Sequence, residues 1–307
     1  MIEARDLRKL YGETLAVDGL TFEVRPGIVT GFLGPNGSGK STTMRMLVGL
    51  DAPTSGSITV NGKQYAKHAA PLREVGALLE ARAIHPGRTA RNHLLVLAAT
   101  TGIPARRVDE VLGLVGLSDV ASKRTKGFSL GMGQRLGIAA ALLGDPAIIV
   151  LDEPTNGLDP EGILWVRNLL KHLAGLGRTV LVSSHLMSEM ALTADHLIVI
   201  GRGQLIADVS VAEFTRKATT GTSVHVRTPN ADRLTKLLAG PTTIITRGEP
   251  GCLDVVGLAS GQIGDIAAAN SISIHELIPQ RASLEEAFME MTRDSVEYRS
   301  TTETSAA

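Results

Sequence analysis

The chain is poor in aromatic residues: Phe, Tyr and Trp make up 3% of its 307 residues. Proteins that bind single-stranded nucleic acid by stacking bases need such side chains, so that mode is disfavoured. Cysteine is nearly absent. Cys252 stands alone, which excludes an internal disulfide and fits a reducing compartment; it reads as a small buried strand residue. Charge of either sign is not in excess, because Lys+Arg and Asp+Glu both number 31. No basic surplus is left for a phosphate backbone, so nucleic acid is not an expected partner. Long apolar runs are missing too. Ile138 to Leu143 and Ile148 to Leu151 are far short of the roughly 20 residues that span a bilayer. The opening Met1-Ile-Glu-Ala-Arg-Asp6 has no apolar signal segment. The chain is expected to be soluble by itself and able to sit on a membrane protein.

Against these absences stands one dense motif, Gly34-Pro35-Asn36-Gly37-Ser38-Gly39-Lys40-Ser41-Thr42. It has the spacing G-x-x-x-x-G-K-[ST]. An apolar, β-branched run precedes it (Ile28, Val29, Thr30, Phe32, Leu33) and a helix-compatible segment follows, from Thr43 to Leu50. That strand–loop–helix setting is what a phosphate-binding loop requires. Glycines let the backbone wrap an anion, and successive N–H groups with a helix start form a positive cradle. Lys40 would reach the β- and γ-phosphates and the Ser41 hydroxyl would bind Mg²⁺.

With 43% apolar residues, 307 positions suffice for one large domain and a smaller one. Residues 2–7 and 15–25 read as an antiparallel start. Ser57 to Val60 is a strand ended by Asn61-Gly62, a hairpin-turn pair. Residues 75–79 read as a buried strand reaching Glu80. From His85 to about residue 145 the pattern turns helical: Val108, Val111, Leu112 and Val115 fall on one helical face, with Gly116 able to stop it. This is expected to be a helical insert. Ala147 to Leu151 is an all-apolar strand that ends at Asp152-Glu153, as a parallel strand covered on both faces would be. A helix over 161–174, a strand over 179–182 reaching Ser183-Ser184-His185, a helix over 186–194 and strands over 197–200 and 205–209 complete an alternating pattern.

From about residue 220 the reading is strand 223–227, helix 231–239, strands 242–247 and 252–257, helix 261–269 and strand 272–278. That order is βαββαβ. Ser283-x-x-Glu286 is a capping-box pattern for a last helix with Leu284, Phe288 and Met291 on one face. The Ser/Thr-rich tail after Tyr298 is expected to be disordered. The fold class is therefore α/β, a phosphate-loop NTPase with an antiparallel subdomain and a helical insert, plus a small C-terminal α+β domain. The boundaries drawn are 1–217, with the insert at about 85–145, then 218–297 and a tail at 298–307.

Several further residues fit the same chemistry. Asp152 stands where a parallel sheet presents its carboxyl ends, the place for a second Mg²⁺ ligand. Glu153 could activate the attacking water as general base. Two acids at a strand end are by themselves an ordinary solvated feature; the loop upstream gives them a role. His185 could hydrogen-bond the γ-phosphate, and Tyr11 could stack on adenine. Ser129 opens a helix running to about Leu143 and makes a second anion-binding helix end. In a two-fold dimer each chain's second end could close on its partner's loop.

These residues, in this order, resemble the ATP-binding cassette (ABC) family over residues 2–215. The resemblance implies that Gly34–Thr42 is the Walker A loop and Ile148–Asp152 the Walker B strand. It makes Glu153 the catalytic glutamate, His185 the switch histidine and Tyr11 the adenine-stacking aromatic. Gly157-Leu158-Asp159 resembles the D-loop, which puts Asp159 at a nucleotide. The family's signature, a Leu-Ser-Gly-Gly-Gln helix start, is matched by Phe128-Ser129-Leu130-Gly131-Met132, in which Ser129 and Gly131 are kept. Where the family carries glutamine, this chain presents Glu80. A carboxylate there repels a polyphosphate unless it faces Mg²⁺, so Glu80 is expected to be a direct or water-mediated Mg²⁺ ligand. The Gly-Met pair with Gln134-Arg135, and the stretch from Gly76 through Arg91, resemble the export-type branch that includes antibiotic- and bacteriocin-resistance transporters.

The resemblance implies an ATPase with ATP and Mg²⁺ as ligands. It implies an ATP-dependent homodimer of cassettes on the cytoplasmic face of the membrane, with a separate integral-membrane permease as partner. Two alternatives stand beside it. One is a soluble ABC ATPase acting on nucleic acid or ribosomes; the single cassette and the missing heptads and basic patch speak against it. The other is a regulatory module in which the C-terminal unit senses a ligand, though residues 220–280 carry no charged or aromatic cluster that marks a pocket.

Overall fold

The computed structural model describes residues 1–80, 84–219, 223–240, 243–280 and Phe288. The capping-box helix, apart from Phe288, and the tail after Tyr298 lie outside the described residues. The chain divides into two compact units, Met1–Val211 and Ala212–Glu290.

The first unit holds two sheets. Strands β1 (Ile2–Tyr11), β2 (Thr14–Val24) and β4 (Ser55–Val60) make an antiparallel sheet in the order β2-β1-β4. Asn61 and Gly62 both take positive φ after β4 and return the chain to Lys63, as the Asn-Gly pair predicts. The second sheet has the order β5-β6-β7-β3-β8-β9. It comprises β5 (Val75–Leu78), β6 (Ile148–Leu151), β7 (Thr179–Ser184), β3 (Val29–Leu33), β8 (His196–Gly201) and β9 (Gln204–Ser210). All neighbours are parallel except β8 and β9, so β9 is an antiparallel edge. The inner strands β3, β6 and β7 are buried at every position, the continuous apolar signature of strands covered on both faces.

One core joins the two sheets. Ile2, Leu7, Phe22 and Phe32 belong to it, with Met44 and Leu47 from α1 (Lys40–Leu47). The rings of Phe22 and Phe32 meet at 5.5 Å. Burying each such side chain contributes ~1.5–3 kcal/mol. Helix α1 begins three residues earlier than the apolar pattern suggests, because the loop's own Lys40 opens it. A short α2 (Pro71–Glu74) precedes β5.

The insert is helical as expected: α3 (Ala90–Thr100), α4 (Ala105–Leu114) and α5 (Leu130–Leu142). Val108, Val111, Leu112 and Val115 are all buried, and Gly116 ends α4 with φ +71°. Ser129 caps α5, its hydroxyl accepting from Met132 N at 3.2 Å, worth ~1 kcal/mol. Helices α6 (Pro160–Gly175) and α7 (Met187–Thr193) complete the unit. Asp159 caps α6 through Gly162 N, and Pro160 occupies its first turn.

Helix α8 (Val211–Thr219) leads into the second unit. There β10 (Ser223–Arg227), α9 (Ala231–Leu238), β11 (Ile244–Arg247), β12 (Cys252–Val256), α10 (Ser260–Ala269) and β13 (Glu276–Gln280) follow the expected βαββαβ order. The sheet runs β11-β12-β10-β13, antiparallel throughout. Val224, Val226, Leu253 and Val255 form its core with Leu234, Leu238 and Ile263 from the helices. On the opposite face His225 pairs with Asp254 at 2.8 Å and Arg227 with Glu276 at 3.3 Å.

Two local expectations shift. The last strand starts at Glu276 rather than at 272. Ile272 is buried in the core, but it follows Ser271, which turns left-handed after α10. The apolar residues there plug a helix end, and strand pairing begins only where His275 N reaches Arg227 O. Cys252 is half-buried rather than buried, because it lies on the sheet face opposite the helices.

Candidate functional site

The parallel sheet decides where the chemistry gathers. Strands β3, β6 and β7 are parallel, so all end on the same edge, where ligands of such sheets bind. Gly34 to Gly39 follow β3 and wrap back to the start of α1. A Cβ on Gly39, at φ +100°, would stand 2.6 Å from Ala16 O, and one on Gly34 would stand 2.4 Å from Ile200 O. Only a bare backbone fits both places. The first helical bond of α1 runs from Thr43 N to Gly39 O at 2.9 Å. The N–H groups of Lys40, Ser41 and Thr42 therefore precede it, a helix start open to an anion. Inside the loop the Ser38 hydroxyl is buried and finds no protein partner among the described residues. A buried unpaired donor at this place fits a phosphate oxygen.

Lys40 is 6% exposed. Its ammonium donates to Gly34 O at 2.5 Å and Pro35 O at 3.1 Å. Burial pushes its pKa down, and the nearby carboxylates of Glu153 and Asp152 pull it back up. A buried ammonium held by carbonyl oxygens is suited to take a polyphosphate.

Opposite the loop, Asp152 follows directly on the end of β6. Its Oδ2 accepts from Ser41 Oγ at 2.6 Å, across 111 residues of sequence. Its Oδ1 accepts from the Ser183 hydroxyl at the end of neighbouring β7. Ser183 Oγ also accepts from Glu153 N at 2.9 Å. Glu153 takes a left-handed backbone, φ +48°, a conformation that non-glycine residues hold only when their surroundings enforce it. The Glu153 carboxylate meets His185 Nδ1 at 2.9 Å. The predicted Ser41, Asp152, Glu153 and His185 thus form one chain of contacts. The oxygen donors of Ser41 and Asp152 suit Mg²⁺, which is held through one or two carboxylates plus substrate phosphates.

A cleft of about 390 Å³ runs from this group, past Asn36 to Thr42, to Tyr11. Tyr11 is 44% exposed. Its hydroxyl donates to Asp51 Oδ2 at 2.6 Å, and the Lys9 ammonium lies 4.9 Å from the ring centre. Arg45 on α1 grips the same Asp51 at 2.7 Å. That guanidinium, helped by the Tyr11 hydroxyl, holds the Asp51 carboxyl down at about 2, while the bond to Asp51 pushes the Tyr11 phenol up.

Other predicted residues lie elsewhere. Ser129 belongs to a second cleft, of about 290 Å³, lined with Ile84, Pro86 and Phe128. Gly131, just inside α5, lies close to Leu158, and Asp159 caps α6. No single chain brings these three to the loop cleft. Glu80 is exposed, two residues beyond β5, beside the strand that ends at Asp152, and is outside the cleft lining.

Sequence reasoning missed Ser183, which holds both acids, and Asp51, which holds Tyr11. A hydroxyl residue closing an otherwise apolar strand was the available signal for the first. Nothing local marked the second, which depends on the chain passing β1 again 40 residues later.

Comparison with known proteins gives a concordant result. The family model described as ABC transporter matches residues 17–156, and one described as a domain of unknown function (DUF8746) matches 222–285. The chain is 45% identical over 212 residues to the bacitracin transport ATP-binding protein BcrA of Bacillus licheniformis, covering 68% of this chain and 69% of that protein. It is 36% identical over 304 residues to the uncharacterized ABC transporter ATP-binding protein YhcH of Bacillus subtilis, covering 97% of each. It is 33% identical to the linearmycin resistance ATP-binding protein LnrL of Bacillus subtilis, over 90% of this chain and 83% of that one. Among solved structures, an ATP-binding subunit of an ABC transporter matches with TM-score 0.64 and 28% identity, over 71% of this chain and 92% of that chain. A dimeric cassette bound to ADP and Pi matches with TM-score 0.63 and 25% identity, over 69% and 99%.

Proposed function

The chain belongs to the ABC transporter family as an ATP-binding, ATP-hydrolysing subunit, and we propose that it powers export of an antibiotic, drug or peptide through a separate membrane permease. Residues 1–217 are the motor in this reading and 218–297 an accessory unit. Lys40 and the backbone N–H groups of the loop from Asn36 to Thr42 hold the triphosphate. Ser41 and Asp152 hold Mg²⁺, with Glu80 directly or through water. Held there, Mg²⁺ would supply positive charge against the triphosphate. Glu153 takes the proton of the attacking water, and His185, through its contact with Glu153, reads the γ-phosphate. Tyr11 stacks on the adenine. Two chains pair on ATP so that Ser129, Gly131 and Asp159 of one face the loop of the other.

The observation that carries the reading is the meeting of Ser41 and Asp152 at 2.6 Å with Glu153 tied to His185. A hydroxyl, two carboxylates and an imidazole stand in order along one sheet edge, which supports these roles. The separation of the Ser129 cleft from the loop cleft supports pairing of chains, because one chain leaves each half incomplete. The transport names of the bacitracin and linearmycin relatives support the substrate class and leave the nucleic-acid or ribosome alternative without a counterpart among them. No helix among the described residues is long and apolar enough to cross a membrane, and the reading places the chain on the cytoplasmic face through its permease.

A pull-down of the tagged chain from its host's membranes, in mild detergent with ATP, tests the proposal. A polytopic membrane protein should come with it. Recovery of ribosomal or DNA-associated proteins without a membrane partner rejects the transport role.

A further inference from the structure

The altered signature has a steric partner in the same chain. Leu130, the residue after the cap Ser129, lies over Gly157: a Cβ on Gly157 would stand 2.0 Å from Leu130 Cδ2 and 2.6 Å from Cγ. Leu158 in turn approaches Gly131, where an added Cβ would meet Leu158 Cδ2 at 3.2 Å. The segments Ser129-Leu130-Gly131 and Gly157-Leu158-Asp159 therefore cross with each leucine over the other's glycine. One turn further along α5, buried Gln134 donates its Nε2 to Glu153 O at 2.9 Å. The start of α5 is thus fastened at two points to the segment from Glu153 to Asp159.

We propose that Leu130 and Gln134 are positioning residues that couple the two ATP sites of the paired cassettes. They act through one chain: Ser129 faces the partner's ATP, while Glu153 of the same chain faces its own. Leu130 seated on Gly157, with Gln134 holding the Glu153 carbonyl, makes these one mechanical piece. Seating of α5 on the partner's nucleotide then fixes where Glu153 stands. The large apolar side chain at position 130 and the bare backbone at Gly157 are two halves of one contact. The proposal rests on the two-cassette reading above.

The full chain tests it as Leu130→Ala, as Gly157→Ala and as the double variant. Turnover is measured against ATP concentration, and the isolated chain is titrated with trinitrophenyl-ATP. Leu130→Ala should leave trinitrophenyl-ATP affinity within about 2-fold while the Hill coefficient falls from about 2 toward 1, as loss of a coupling worth at least ~5-fold would do, with turnover falling by a similar factor. Gly157→Ala should lose more, because its methyl collides with Leu130 and its left-handed backbone, φ +75°, disfavours a side chain. Adding Leu130→Ala should return part of that loss, at least about 3-fold, since two changes at one contact are not additive. Unchanged cooperativity in Leu130→Ala, or a double variant whose loss is the product of the two, overturns the proposal. A Glu153→Gln chain that forms no dimer with ATP by size exclusion overturns the two-cassette reading, and this proposal with it.

Discussion

The two units are made of similar parts and differ in strand direction. In the first, β5, β6, β7, β3 and β8 are parallel, so every carboxyl end reaches the same edge. Residues far apart in sequence, Ser41, Asp152, Ser183 and His185, meet there. In the second, neighbouring strands are antiparallel, so their ends alternate and no edge collects them. Its polar side chains pair across the sheet instead, as His225 does with Asp254 and Arg227 with Glu276. Pairs at a surface of this kind contribute little, ~0–1 kcal/mol each. In this chain the parallel sheet gathers a site, and the antiparallel sheet of the second unit leaves a surface.

If that contrast holds, substitutions at the parallel edge should act on chemistry and those in the second unit on stability alone. Glu153→Gln should slow hydrolysis by about 10²–10⁴-fold with ATP binding retained; near wild-type turnover in a phosphate-release assay would remove Glu153 from the role of base. Ser183→Ala leaves Asp152 and Glu153 N short of a partner and should cost turnover ~10-fold, the equivalent of one buried unsatisfied group. Turnover equal to the parent's would show that the two acids need no common support. Glu80→Ala should weaken the apparent Mg²⁺ affinity of hydrolysis by ~10-fold, as loss of a ligand or its water partner does; an unchanged Mg²⁺ titration in the assembled complex would exclude Glu80 from the metal.

Asp51→Asn takes away the charge behind Tyr11, leaving its hydroxyl only a neutral acceptor, and should raise KM for ATP ~3-fold without changing kcat, the effect of weakening one surface charge-assisted hydrogen bond. Its pH behaviour has a definite sign. The folded carboxyl titrates at about 2, below the usual value of 3.8, so its contribution is full above the unfolded value and fades as pH falls toward 2. The KM difference between parent and Asp51→Asn should therefore be constant from pH 8 to about 5. Leu253→Ala, in the core of the second unit, should reduce stability by ~2–5 kcal/mol. Its turnover per folded molecule should stay within about 2-fold. A specific loss of turnover there would break the comparison, because it would tie the second unit to the chemistry.

The loop was legible because its function is local: nine consecutive residues carry the glycines, the lysine and the hydroxyl that an anion needs. Asp152 and Glu153 were legible because an all-apolar strand ending in acids has few other meanings in that company. The βαββαβ order was legible from alternating periodicities. The start of β13 was not, since burial of Ile272 at a helix end and burial in a strand leave the same apolar letter. Ser183 was hidden because its importance lies in β7 being the neighbour of β6, which strand order alone determines. Leu130 could be read as a departure from a motif, but not as a contact, because Gly157 lies 27 residues away in another loop.

The sequence by itself determined the family and its ATP chemistry, and the alternation of strands and helices that would hold it. These follow from side-chain chemistry and short-range backbone preference. The tertiary structure alone decided which groups touch: Ser41 on Asp152, Ser183 beneath both acids, Asp51 behind Tyr11, Leu130 on Gly157. It also put the Ser129 helix end in a cleft apart from the loop. Contacts of this kind arise when strand order and close packing bring distant segments within bonding reach, and neither is written in any one stretch of residues.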